Sequence, residues 1–240
     1  MRRVGMRVHY AGNMMGVSIE ERHRKFMDVM MEAEWHLGFK GQVGIRPEVE
    51  LKEGRITTVF CGDYEQLKGV RYVGYYQRRI EEEKGIDESK YDDVFEINFN
   101  NTRRGAKYKE SLKKWWPKVI EAYGGYKAEV CQERYGWRYC GAPSYKNEVY
   151  NRLRMDPKVD VNGRNNIYAL RSAQYWSEEL CYRALGYGPE EVIRRLEGAG
   201  VIAVMRLMDG VYSVLNDNNK MKYPEFVAMN KHYKKVLDLA

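Results

Sequence analysis

The sequence is short of the residues that usually announce a chemistry or a compartment. Its 240 residues hold four histidines and four cysteines, and no two cysteines form a C-x-x-C pair. Cys61, Cys131, Cys140 and Cys181 are dispersed, which fits neither a zinc ribbon nor a secreted disulfide framework, so all four are expected reduced. No apolar run approaches the ~18 residues of a membrane span. The opening Met1-Arg2-Arg3 leads into no apolar signal stretch. These absences set the expected compartment as the cytoplasm, with no membrane association. There is no internal repeat and no low-complexity tract, which excludes solenoids and linkers. With 44% hydrophobic and 31% charged residues the chain is not disordered either.

Catalytic and metal signatures are missing in the same way. No GxSxG elbow and no cysteine–histidine pairing context appears. Gly12-Asn13-Met14-Met15-Gly16 lacks the ending of a phosphate loop, and Tyr187-Gly188-Pro189 lacks the strand that a dinucleotide loop follows. His23 and His36 are read onto one helix, where thirteen residues turn them about 220° apart, too far to share a ligand. Glu32 and His36 stand one turn apart, but nothing completes a site. Asp160-Val161-Asn162-Gly163-Arg164 has oxygens at alternate positions, yet the distal glutamate of a calcium loop is absent. No catalytic residue, metal or cofactor is therefore assigned, and the chain is not expected to be an enzyme.

What is present is aromatic and basic. The formal net charge is +7, with 20 Tyr and 5 Trp. Between Thr102 and Arg154 stand 13 basic and 5 acidic residues, a net of +8, together with 10 of the 31 aromatics. Two readings of this segment stand side by side. One is a protein-binding face, because Tyr, Trp and Arg dominate interface hot spots; its candidates are Arg78, Arg79, Tyr135, Trp137, Arg138 and Tyr139. The other is a nucleic-acid face formed by Arg104, Lys107, Lys114 and Lys118 along a helix.

Hydrophobic periodicity organises the rest. Ser18 and Glu21 form a capping box opening a helix that carries Ile19, Phe26, Met30, Ala33 and Leu37 and stops at Gly38. Strands are expected over 43–51, 55–61, 70–76 and 93–100. A helix follows over 106–123, with Leu112, Trp115, Trp116, Val119 and Tyr123 inward and Pro117 awkwardly inside it. Residues 126–131 read as extended, 137–140 as a short strand, 144–154 as helix and 167–170 as a strand. Ser177 and Pro189 open two helices. A hairpin over 201–215 turns at Asp209-Gly210, and Pro224 starts a last helix. Mixed hairpins and helices give an α+β fold, antiparallel sheet with packed helices, in one domain over 1–240 with a possible subdomain boundary at 155–166.

The segments RYVGYYQRR (71–79), FEINFNN (95–101), WWPKVIEAYGGYKAEV (115–130) and NGRNNIYALRSAQYWSEELCYRALG (162–186), with the tail from Pro189 to Leu215, resemble immunity proteins encoded beside bacterial polymorphic toxins. The resemblance implies a non-enzymatic α+β protein that binds a cognate toxin domain and blocks its active site. It supplies no catalytic residue to carry over. Inhibitors of nucleases in such systems are often acidic, whereas this chain is basic, so the resemblance implies a toxin with an acidic face. A nucleic-acid-binding protein, or a structural subunit of a phage or other assembly, is the alternative.

Overall fold

The computed structural model describes residues 3–10, 18–42, 44–49, 57–61, 69–77, 92–100, 107–132, 135–140 and 167–239. They fall into two compact units, Arg3–Ala128 and Glu129–Ala240. The turn-rich stretch 155–166 and the expected helix 144–154 lie outside the described residues. Eight strands with helices packed against them make an α+β fold.

In the first unit, β1 (Arg3–Tyr10), β2 (Thr57–Cys61), β3 (Val70–Gln77) and β4 (Asp93–Asn100) run in the order β2-β3-β4-β1, each neighbouring pair antiparallel. The alternation read from sequence sets the two faces. Val4, Met6, Val8, Tyr72, Tyr76, Phe95, Ile97 and Phe99 are buried. The half-buried opposite face places Arg7 directly across from Glu96, which accepts from Arg7 Nε at 2.7 Å.

Helix α1 (Ile19–Met30) begins as expected, with Ser18 Oγ accepting from the Glu21 N–H at 3.1 Å. It ends a full turn and more before Gly38, because the chain doubles back: Phe39 N–H donates to the Met30 carbonyl. A Cβ on Gly38 would come within 2.6 Å of that same oxygen, so glycine is required there by close approach. His36 thus lies beyond the helix that carries His23. Residues 44–49 are bent, irregular backbone instead of the expected strand.

Pro117 is accommodated rather than tolerated. Helix α2 (Tyr108–Glu110) passes into a π-helical turn (Ser111–Trp115) before α3 (Trp116–Tyr123). Trp116 N–H donates to the Ser111 carbonyl, five residues back. The widened turn falls where proline could neither donate to the carbonyl four residues earlier nor clear it. The extra residue also lets Trp115 and Trp116 both face inward with Leu112, Val119 and Tyr123. Gly124, at φ 71°, ends the helix in the left-handed region.

The unit division falls inside β5 (Lys127–Gln132). The second unit holds α4 (Tyr135–Cys140), β6 (Ala173–Trp176), α5 (Glu178–Leu185), α6 (Pro189–Gly198), β7 (Ala203–Leu207), β8 (Gly210–Val214) and α7 (Tyr223–Val236), with strand order β5-β6-β8-β7. Trp176, Leu180, Val192, Leu196, Val211, Phe226 and Met229 are among its buried core.

Three local expectations are corrected here. Residues 137–140 belong to helix α4, not a strand. Residues 167–170 form no strand either, because a side chain replaces the ladder: Asn230 Oδ1 accepts from the Leu170 N–H at 2.8 Å, and its Nδ2 donates to the Leu170 carbonyl at 3.1 Å. The hairpin is where it was expected, but it turns on Met208-Asp209, with Met208 at φ 48°. Gly210 is the first residue of β8, and its lack of a side chain serves packing, since a Cβ would overlap the Trp176 carbonyl oxygen.

Candidate interaction surfaces

Helix α4 carries the densest group of candidate partner-binding residues. Four residues apart, Tyr135 and Tyr139 share one face and meet α7. Their rings lie 5.8 Å from Phe226, and the Tyr135 hydroxyl donates to the Met221 carbonyl at 3.3 Å. Both rings are thereby engaged in packing within the unit. Arg138 lies at the edge of that contact and is exposed, its guanidinium 4.0 Å from the centroid of Tyr223 at the start of α7. Lys234 lies 5.1 Å over Tyr139. The outcome is a surface on which cations ride on aromatic faces, an arrangement favourable on both electrostatic and packing grounds. Tyr223 and Lys234 were not singled out from sequence. Their spacing from Phe226 and Met229 marks the rim of α7, but the pairing with α4 is long-range. Arg78 and Arg79 lie outside the described residues, as does the side chain of Trp137.

The candidate basic face lies in the first unit. Lys107, Lys114 and Lys118 are exposed, while Arg104 is outside the described residues. Lys114 Nζ is 3.0 Å from Glu34 Oε2. That hydrogen bond and the lysine's charge hold the Glu34 carboxyl below its ordinary range, with Lys107 and Lys118 adding to the effect. The three lysines therefore gather about one carboxylate rather than forming an uninterrupted cationic track. Lys114 and Lys118 also stand 4.6 and 5.1 Å from the Trp115 ring, which stacks on Trp35 at 6.0 Å.

A buried polar cluster was invisible in the sequence. Arg22 on α1 pairs with Asp93 at the start of β4, both almost fully buried. Its guanidinium lies 3.6 Å from the Tyr10 ring centroid and faces Tyr76 and Tyr123 as well. Burial alone would lower the Arg22 pKa; the Asp93 carboxylate, with Tyr123 and Tyr76 adding to its effect, more than reverses this and leaves it raised. Asp93 also accepts from the Gln77 N–H at 2.7 Å, which ties the pair to β3.

His23, next in sequence, is held at both ring nitrogens. Nε2 and Nδ1 lie 2.9 Å from the Arg46 carbonyl and the Tyr76 hydroxyl respectively. A carbonyl only accepts, so Nε2 carries the proton and Nδ1 accepts from Tyr76. Burial is the main force keeping this imidazole below its usual pKa. Cys61 and Cys181 are buried thiols, both pushed up by burial, Cys181 to about 12. Such thiols are poor nucleophiles. Among the described residues, no group of three or more His, Cys, Asp or Glu is placed to hold a metal ion, and no helix is long and apolar enough to cross a membrane.

No protein-family model and no curated protein matches the chain. Among solved structures it is similar to Pseudomonas aeruginosa T6SS protein PA0821, with a TM-score of 0.51 at 10% identity, covering 98% of this chain and 73% of that one. At this identity the likeness is one of fold.

Proposed function

We propose that the chain is a binding protein that neutralises a cognate bacterial toxin by direct protein–protein contact and carries out no bond-making of its own. The observation that carries this reading is the cation–aromatic surface of the second unit, where the exposed Arg138 lies against the half-buried Tyr223 and the half-buried Lys234 against Tyr139. Arg and Tyr are the residue types that concentrate binding energy in protein interfaces, and here the rings are already fixed by packing on Phe226, so little ordering remains to be done on association. The net charge of +7 suits a partner that presents an acidic face. The resemblance in sequence to immunity proteins supports the same reading, and likeness in fold to a T6SS protein is in keeping with a role in competition between bacteria. Within the first unit, His23 and the Arg22–Asp93 pair are committed to buried contacts, which suits a structural role for those groups.

The test is affinity capture from the native host with the full chain as bait, followed by co-expression with the product of the adjacent gene. One stoichiometric protein partner is expected, its toxicity relieved by co-expression. Failure to retain any protein, with no relief of toxicity, defeats the reading. Steeply salt-sensitive retention of duplex DNA in its place would transfer the function to the lysine face of the first unit.

A further inference from the structure

The outermost strands of the two units are built differently. In β2 the register with β3 shifts between Val59 and Cys61, and such an irregular edge resists further pairing. The strand β7 has no such interruption, since residues 203–207 pair one to one with 214–210 of β8. It contains no proline and no lysine, and its one charge, Arg206, is answered by Glu190 of α6 at 3.2 Å. Ile202 and Met205 are nevertheless 42% and 39% exposed.

The turn fixes which backbone groups face outward. Leu207 and Gly210 enclose two residues, so they form a hydrogen-bonded pair. By alternation Met205 and Ala203 direct their N–H and C=O groups to β8. Those of Arg206 and Val204 point away from it, and Ile202 continues the series. Among the described residues no strand pairs with that side.

We propose that β7 joins two copies of the chain, strand against antiparallel strand, about a twofold axis through Val204. The strand is self-complementary in this register. Val204 faces Val204 of the second copy, Ile202 faces Arg206, and the long Met205 lies beside the small Ala203. The outward N–H and C=O groups of Val204 and Arg206 then find partners. A register centred on Arg206 would instead set two guanidinium groups face to face. Because the exposed Glu190 partly offsets Arg206 within its own chain, the edge makes no strong demand for an acidic occupant, which favours a second copy over a charged foreign strand. Each copy carries +7, so long-range repulsion opposes the pairing and added salt strengthens it. This association does not depend on the toxin-binding reading.

Sedimentation velocity of the full chain from micromolar to submillimolar concentration tests it. The expected result is a concentration-dependent dimer that tightens with salt, in which the Val204 and Arg206 amides gain hydrogen-exchange protection while Met205 is protected throughout. Ile202→Arg, which opposes two like charges twice per dimer, should weaken association about tenfold, and Ile202→Glu should tighten it to a similar degree. Val204→Pro removes an outward N–H and should abolish the dimer. If that variant misfolds, the two Ile202 variants still decide. A chain that stays monomeric throughout, or a dimer indifferent to both Ile202 changes, overturns the proposal.

Discussion

Replacing Asn230 with leucine keeps the bulk of the side chain and removes three hydrogen bonds, to the N–H and carbonyl of Leu170 and to the carbonyl of Phe226. The Leu170 N–H and carbonyl then lose the side chain that serves both, in a wholly buried setting, and the expected loss is about 2–4 kcal/mol by urea denaturation. The Arg22–Asp93 pair follows a related rule. Arg22→Met or Asp93→Leu alone strands a charge in the core and should cost roughly 3–5 kcal/mol, whereas the double change should cost much less than the sum. A double-mutant cycle on the denaturation midpoints measures this directly. His23 adds a pH dependence. Burial holds its folded pKa below the unfolded value, so the unfolded chain takes up the proton first. Its contribution to stability is full above about pH 7.5 and falls as pH drops through about 6.5 toward the lowered folded value. His23→Gln should flatten the slope of unfolding free energy between these limits.

At the scale of elements, two glycines separate close approach from mere permissiveness. Gly210→Ala drives a methyl into the Trp176 carbonyl and should destabilise the second unit by at least ~2 kcal/mol. Gly198, the last residue of α6, has no atom within 4 Å of a would-be Cβ and an ordinary φ, so Gly198→Ala should stabilise by about 0.4–1 kcal/mol. Thermal unfolding of both variants checks the pair. The same contrast explains what was legible in the sequence. Capping by Ser18 and Ser177, the alternation of β4 and the inward face of the helix around Pro117 depend on neighbours within a few residues, and all are present. The early end of α1, the bulk-free start of β8 and the side-chain substitute for a strand at Leu170 depend on groups brought near by folding. Gly38 meets Met30 through a reversal, Gly210 meets Trp176 across a sheet, and Leu170 meets Asn230 from 60 positions away. The candidate surface was half legible. The aromatic density of residues 135–139 was plain, but that Tyr135 and Tyr139 would be consumed by Phe226 while Arg138 stays exposed required the position of α7.

For the molecule as a whole, the basic charge is distributed over surfaces that single substitutions can tell apart. Arg138→Glu, at an exposed site of the second unit, should weaken capture of the proposed partner about thirtyfold without lowering the melting temperature, the size expected for a hot-spot arginine. Lys118→Glu in the first unit should change capture little while reducing any retention on heparin. Binding isotherms for the two variants, side by side, assign the working face. The amide at Asn230 has a last consequence, one of age. Hydrolysis of that group would exchange a nitrogen that serves two carbonyls, Leu170 and Phe226, for an anionic oxygen confronting both. A slow chemical lesion of this kind would act as a clock, held back while helix and core keep the fully buried side chain sheltered and advanced in proportion to the time the second unit spends open.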